Sequence, residues 1–147
     1  MRVILDTNIL LSAFFKADSP PNLLVHAWMD GRFDLLSSSE QIGEITRIAR
    51  YPHIRKLIHS AEIGWLINRL RDRATLLTDL PTLDISPDPA DNFLFSMAEV
   101  GAASHLVTGD KSGVLAFRKH LSTRIVTARQ MVDLLKIQAN HVTKTNQ

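Results

Sequence analysis

Arg2-Val3-Ile4-Leu5-Asp6-Thr7-Asn8 carries, in one short stretch, an apolar run and an abrupt change to polar residues. Such a run predicts a buried strand over Arg2–Leu5. Asp, Thr and Asn all favour helix starts, because their side-chain oxygens satisfy backbone N–H groups that have no partner in the first turn. The helix that follows is predicted to run through Ile9, Leu10, Ala13 and Phe14. A strand that passes straight into a helix is the unit of a parallel sheet with helical crossovers.

The same alternation recurs downstream. Pro20-Pro21 opens a helix through Leu23, Leu24, Ala27 and Trp28, stopped near Gly31. Phe33–Leu36 reads as a second strand, with Ser37-Ser38-Ser39 as its exit and the next cap. A helix from about Glu40 to Arg50 turns Ile42, Ile45 and Ala49 inward, and Tyr51-Pro52 ends it. Ile63, Leu66, Ile67 and Leu70 define an amphipathic helix between roughly His59 and Ala74. Thr75 to Pro87 is harder to read, with a short strand expected at Leu83–Ile85. Another helix begins at Asp88-Pro89 and is expected to bury Phe93, Leu94, Met97 and Ala98. His105–Val107 is a strand ending in the turn Thr108-Gly109-Asp110, and Arg124–Val126 with Arg129–Ile137 closes the pattern. The fold class expected is α/β, with a mostly parallel sheet.

A chain of 147 residues with 45% hydrophobic and 22% charged residues can bury a real core. One domain over residues 1–138 is the simplest account, with a frayed polar tail at 139–147. The absence of cysteine excludes disulfides, thiolate metal sites and cysteine nucleophiles. The scattered histidines do not offer zinc-ligand spacing, and His26, His53, His59 and His120 read as surface or helix-face residues. Trp28 and Trp65 fall at helical apolar spacing and read as core. The opening apolar run is too short for a signal-peptide core, and no stretch approaches a membrane span, so a soluble, cytoplasmic protein is expected. A net charge of +2 allows a polyanionic partner without demanding one. The central cations Arg47, Arg50, Arg55, Lys56, Arg69, Arg71 and Arg73 read most simply as solvated helix faces.

The acids are placed more tellingly. Ligands of open α/β sheets bind beyond the carboxyl ends of the strands. Asp6 directly follows the first strand, and Asp110 closely follows His105–Val107. Asp91 lies in the first turn of a helix, and Glu44 lies one turn into the helix after the second strand. Carboxylates that share a site resist ionising together unless a cation compensates them. Mg²⁺ suits such a site, and it could activate water for attack on phosphorus; in a two-ion arrangement the metals sit roughly 3.5–4 Å apart. Thr7 and Asn8 could hold a ligand carboxylate or a water in place.

Each acid also has a purely structural explanation. Asp6 could cap a helix, Asp91 could complement a helix dipole, Asp110 could shape a turn, and Glu44 could pair with Arg47. Glu40 shares a helical face with Glu44, so position alone does not choose between them. No phosphate loop, dinucleotide-binding motif or nucleophile elbow competes. A phosphoaspartyl mechanism at Asp6 lacks its usual partner acid, since position 8 is Asn8.

The ordered set of motifs resembles the PIN-domain family, particularly the VapC-like toxin ribonucleases of bacterial toxin–antitoxin pairs. Val3-Ile4-Leu5-Asp6-Thr7-Asn8 is similar to the family's opening strand and first acidic motif. Ser39-Glu40-Gln41-Ile42-Gly43-Glu44-Ile45 resembles the second, with Glu44 in the metal-site position. Asp88-Pro89-Ala90-Asp91-Asn92-Phe93-Leu94 with Ala98 resembles the third, and Leu106-Val107-Thr108-Gly109-Asp110-Lys111 the fourth. The closing strand and helix are matched by Ile125-Val126-Thr127 and Met131.

This resemblance implies a three-layer α/β/α fold, Mg²⁺ or Mn²⁺ dependence, and endonucleolytic hydrolysis of RNA without a covalent intermediate. It further implies a cognate antitoxin, homodimerisation, a catalytic and metal-binding set of Asp6, Glu44, Asp91 and Asp110, and supporting roles for Thr7, Asn8 and Thr108. One departure stands out: many relatives carry a further Asp where this chain has Ser112, which bears on a second metal. Rival readings are a structure-specific DNA nuclease and a catalytically inactive PIN-like module that binds RNA or protein.

Overall fold

The computed structural model describes residues 1–109 and 114–137, without the side chains of Leu115 and Ala116. Its strands are β1 (Arg2–Leu5), β2 (Asp34–Ser38), β3 (Thr75–Leu77), β4 (His105–Val107), β5 (Lys119–His120) and β6 (Thr123–Val126). Its α-helices are α1 (Thr7–Ser12), α2 (Pro20–Met29), α3 (Ser39–Ile48), α4 (Pro52–Arg55), α5 (Ser60–Arg73), α6 (Asn92–Gly101) and α7 (Ala128–Leu135). The strands form one sheet in the order β3-β2-β1-β4-β6-β5. Every neighbouring pair is parallel except β5 with β6. β1 therefore lies inside the sheet, hydrogen-bonded to β2 on one side and β4 on the other.

Side chains alternate across a strand, and β1 uses both faces. Val3 and Leu5 join Leu35 and Val107 under α1, α2, α3, α5 and α7, whereas Ile4 joins Leu36, Leu106 and Ile125 under α6. Two apolar layers result, one on each side of the sheet, which gives the three-layer α/β/α architecture. Ile4 and Leu5 are fully buried in opposite layers, each contributing about 1.5–3 kcal/mol by burial. The helix starts follow their sequence signals. Ser19 caps α2 before Pro20, and the Ser38 and Thr127 hydroxyls accept from the backbone N–H of Gln41 and Gln130 at the starts of α3 and α7.

Several expectations are corrected. The first helix stops at Ser12, though Ala13 is still buried. β2 continues through Ser37 and Ser38, both fully buried, so the strand ends later than expected, while Ser38 still caps the next helix. The third strand is Thr75–Leu77, and Leu83–Ile85 is not a strand. Leu83 and Ile85 instead pack as a loop on the α6 layer, which among the described residues has only one α-helix to cover it. For the same reason α6 buries Phe95 completely while Phe93 is only half-buried. Trp28 lies in the core, but Trp65 is exposed and meets Phe14 edge-on at 6.1 Å. The tail at 139–147 and the boundary at 138 lie outside the described residues. No helix among the described residues is long and apolar enough to cross a membrane.

Candidate active site

β1 delivers Asp6 to the carboxyl end of the sheet, where its backbone N–H donates to Val107 O at 2.9 Å. Asp6 occupies the cap position of α1, yet its side chain makes no capping hydrogen bond. Its carboxylate accepts instead from Thr108 Oγ1 at 2.8 Å, from the residue that follows β4. Only 8% of Asp6 is exposed. Burial raises its pKa above the ordinary 3.8; the Thr108 hydroxyl opposes this, and Glu44 raises it further. The backbone amides of Thr7 and Asn8 act with Thr108, more weakly. A carboxyl group hidden from water and within the field of a second acid is costly as an anion.

Glu44 reaches this position because α3 is tied to the end of β1. Gln41 is fully buried. Its Nε2 donates to Leu5 O at 2.7 Å, and its Oε1 accepts from Ser37 Oγ at 2.6 Å. Gln41 thus fixes the first turn of α3 beside Asp6, with Glu44 one turn further on. The sequence reading passed over Gln41. Its signal was a polar residue on the helical face of Ile45, four positions away, where an apolar one would be expected.

Glu40 is exposed, accepts from Ser39 Oγ at 3.1 Å and faces a groove shared with Leu80 and Phe93. Of the two glutamates, Glu44 is the one that acts on Asp6. Glu44 is also the partner of Arg47, at 3.7 Å.

Asp91 ends a 3-10 turn, Pro89–Asp91, and caps α6 without a side-chain capping hydrogen bond. The capping role belongs to Asp88, whose Oδ1 accepts from Ala90 N at 3.0 Å. Asn92 Oδ1 holds the preceding loop by accepting from the backbone of Ile85 and Ser86, at 3.1 and 2.8 Å. Because α6 leads back to the start of parallel β4, its N-terminus and Asp91 fall at the carboxyl end of the sheet. Asn8 is exposed. Thr7 Oγ1 is buried with no hydrogen-bond partner among the described residues. Asp110 and Ser112 lie outside the described residues. Among the described residues, no three His, Asp or Glu side chains gather closely enough to hold a metal.

A sequence model of the PIN domain matches residues 2–112, three quarters of the chain. The chain belongs to the PIN-domain family. The match begins at β1 and runs past β4, a span that contains all four predicted acids. No curated protein matches the chain. PIN domains are usually nucleases and generally use divalent metal ions.

The donors of this PIN domain fit such an ion. Asp6 and Glu44 are hard oxygen donors whose mutual repulsion a divalent cation would relieve. Asp6 has no ion-pair partner among the described residues. The Thr108 hydroxyl fixes the direction of one Asp6 oxygen.

Proposed function

We propose that this PIN domain is a metal-dependent endoribonuclease, the toxin of a toxin–antitoxin pair acting in the cytoplasm. The observation that carries this reading is the buried Asp6 carboxyl, set against Glu44 at the carboxyl end of the sheet in a member of a nuclease family. Asp6, Glu44, Asp91 and Asp110 would hold Mg²⁺ or Mn²⁺. The bound ion would supply charge neutralisation and activation of water for attack on phosphorus. The chain's own contribution is placement. Thr108 orients Asp6, Gln41 holds α3 so that Glu44 meets Asp6, and Thr7 and Asn8 flank the acid.

RNA rather than DNA is proposed because the ordered motifs resemble those of the toxin ribonucleases. The same likeness supports a cognate antitoxin that blocks the site, and a homodimer. The test is incubation of a mixed RNA pool with Mg²⁺ or Mn²⁺, with 5′-end sequencing of the products. Cleavage should require the ion and fall at least about a hundredfold in Asp6→Asn, since several kcal/mol of charge stabilisation are lost. Cleavage that persists in EDTA, or a parent protein that cuts nothing, would sink the proposal.

A further inference from the structure

Residues 45–61 contain Arg47, Arg50, Arg55 and Lys56 and no acidic residue. All four cations are exposed. At the end of α3 and on α4 the chain adds two rings to this surface. Tyr51 and His53 stack with centroids 5.9 Å apart and planes inclined by 28°, and both are exposed. Arg47 links the rings to the acids. It lies 3.7 Å from Glu44, donates to Tyr51 Oη at 2.5 Å, and sets its guanidinium carbon 6.0 Å from the Tyr51 ring centroid. Beyond them, Arg50 and Arg55 line a groove of about 440 Å³ with Ile58 and Ile63.

A solvated helix face explains a run of cations but not a stacked pair of rings held at the surface by one of them. Neither ring belongs to the apolar clusters of the core. Cations beside exposed aromatic faces match the two halves of a single-stranded nucleic acid, phosphates and unpaired bases. An acidic protein segment would use the cations and leave the ring faces idle. A duplex would use the cations too, but it hides its bases from the rings.

We propose that Arg47, Arg50, Tyr51, His53 and Arg55 form the track for the single-stranded RNA adjoining the scissile phosphate, an inference that rests on the nuclease reading. A base stacks on the Tyr51–His53 pair, and Arg50 and Arg55 take the phosphates of neighbouring nucleotides. Arg47 marks where the track meets the acids, since it touches Glu44 and Tyr51 at once. Stacking tolerates any base, so this surface selects strandedness rather than sequence.

The test measures anisotropy of a labelled single-stranded RNA and of its duplex, with the whole protein in EDTA. Cleavage kinetics on the same single strand in Mn²⁺ accompany it. The parent should bind the single strand more tightly than the duplex. Tyr51→Ala with His53→Ala should weaken single-strand binding about tenfold or more and raise KM more than it lowers kcat. Tyr51→Phe keeps the ring and should bind within about twofold of the parent. Arg50→Gln with Arg55→Gln should lower the salt slope of single-strand binding by about 1.4, roughly 0.7 for each phosphate contact.

A folded Tyr51→Ala, His53→Ala protein with unchanged Kd and KM overturns the track while leaving the nuclease intact, and is the result expected if the surface docks a protein. A parent that binds single strands through these residues but cuts nothing upholds the track and defeats the nuclease reading. A parent that neither binds nor cuts defeats both.

Discussion

The two ends of the same strands treat polar groups in opposite ways. At the amino-terminal ends of β4 and β6, polar groups find partners within the chain. Thr123 Oγ1 donates to Ala103 O at 2.7 Å, and Ser104 Oγ to Arg2 O at 2.9 Å. His120 Nε2 meets Glu99 Oε2 at 2.6 Å. His105 is held below the usual histidine pKa by burial first, then by Arg124 and the amino terminus, which favours its neutral ring. At the carboxyl ends of β1 and β4, Asp6 is buried within the field of Glu44, and Thr7 Oγ1 has no partner among the described residues. Folding alone accounts for the first end. The second departs from local consistency, as functional sites do.

That contrast is broken most directly at Asp6. Its carboxyl is harder to ionise folded than unfolded, so between the two pKa values the folded chain holds more protons. Ion-free stability should therefore fall as pH rises from 3.8 through the raised folded value. Asp6→Asn should raise Tm in EDTA at pH 7, with the gain shrinking toward acid pH. Mn²⁺ should stabilise the parent by about 2.7 kcal/mol at a hundred times its Kd, and Asp6→Asn much less. An Asn variant less stable than its parent in EDTA would make Asp6 an ordinary structural residue.

Gln41 tests whether the costly end is held in place by a satisfied one. Gln41→Ala removes the donor to Leu5 O and the acceptor for Ser37. It should cost about 1–3 kcal/mol in chemical denaturation and lower cleavage about tenfold or more. Lost stability with full cleavage would restrict Gln41 to the fold. The smallest effect is expected at the paired end. His120→Ala breaks the bond to Glu99 and the edge contact with Phe95. It should cost about 1–2 kcal/mol and leave cleavage of the same RNA unchanged.

The fold was legible wherever burial leaves a periodic mark. β1 and β4 carry unbroken apolar stretches, Val3–Leu5 and Leu106–Val107, because both of their faces are covered. β3 was misplaced because it is an edge strand with Thr75 and Leu76 exposed, whereas the apolar Leu83 and Ile85 belong to a loop that roofs the α6 layer. β5 is only the pair Lys119–His120, too short and polar to signal anything.

At the candidate site, the position of Asp6 beyond the end of β1 was readable from its place after a strand. Position did not separate Glu44 from Glu40, because one helical turn lies between them; in the folded chain it is the charge of Glu44 that bears on Asp6. Gln41 was hidden for a different reason. Its partners, Leu5 O and Ser37, become partners only when β1 and β2 lie side by side.

The bond between Thr108 and Asp6 joins residues 102 positions apart. During synthesis at about 5–20 residues per second, Asp6 waits roughly 5–20 s before Val107 and Thr108 have even been made. Until then β1 lacks the strand that fixes its inner edge, and the acid has no group to aim it. The hydroxyl that aims the first acid is thus translated 102 residues after it, and the two meet only once β4 has taken its place beside β1.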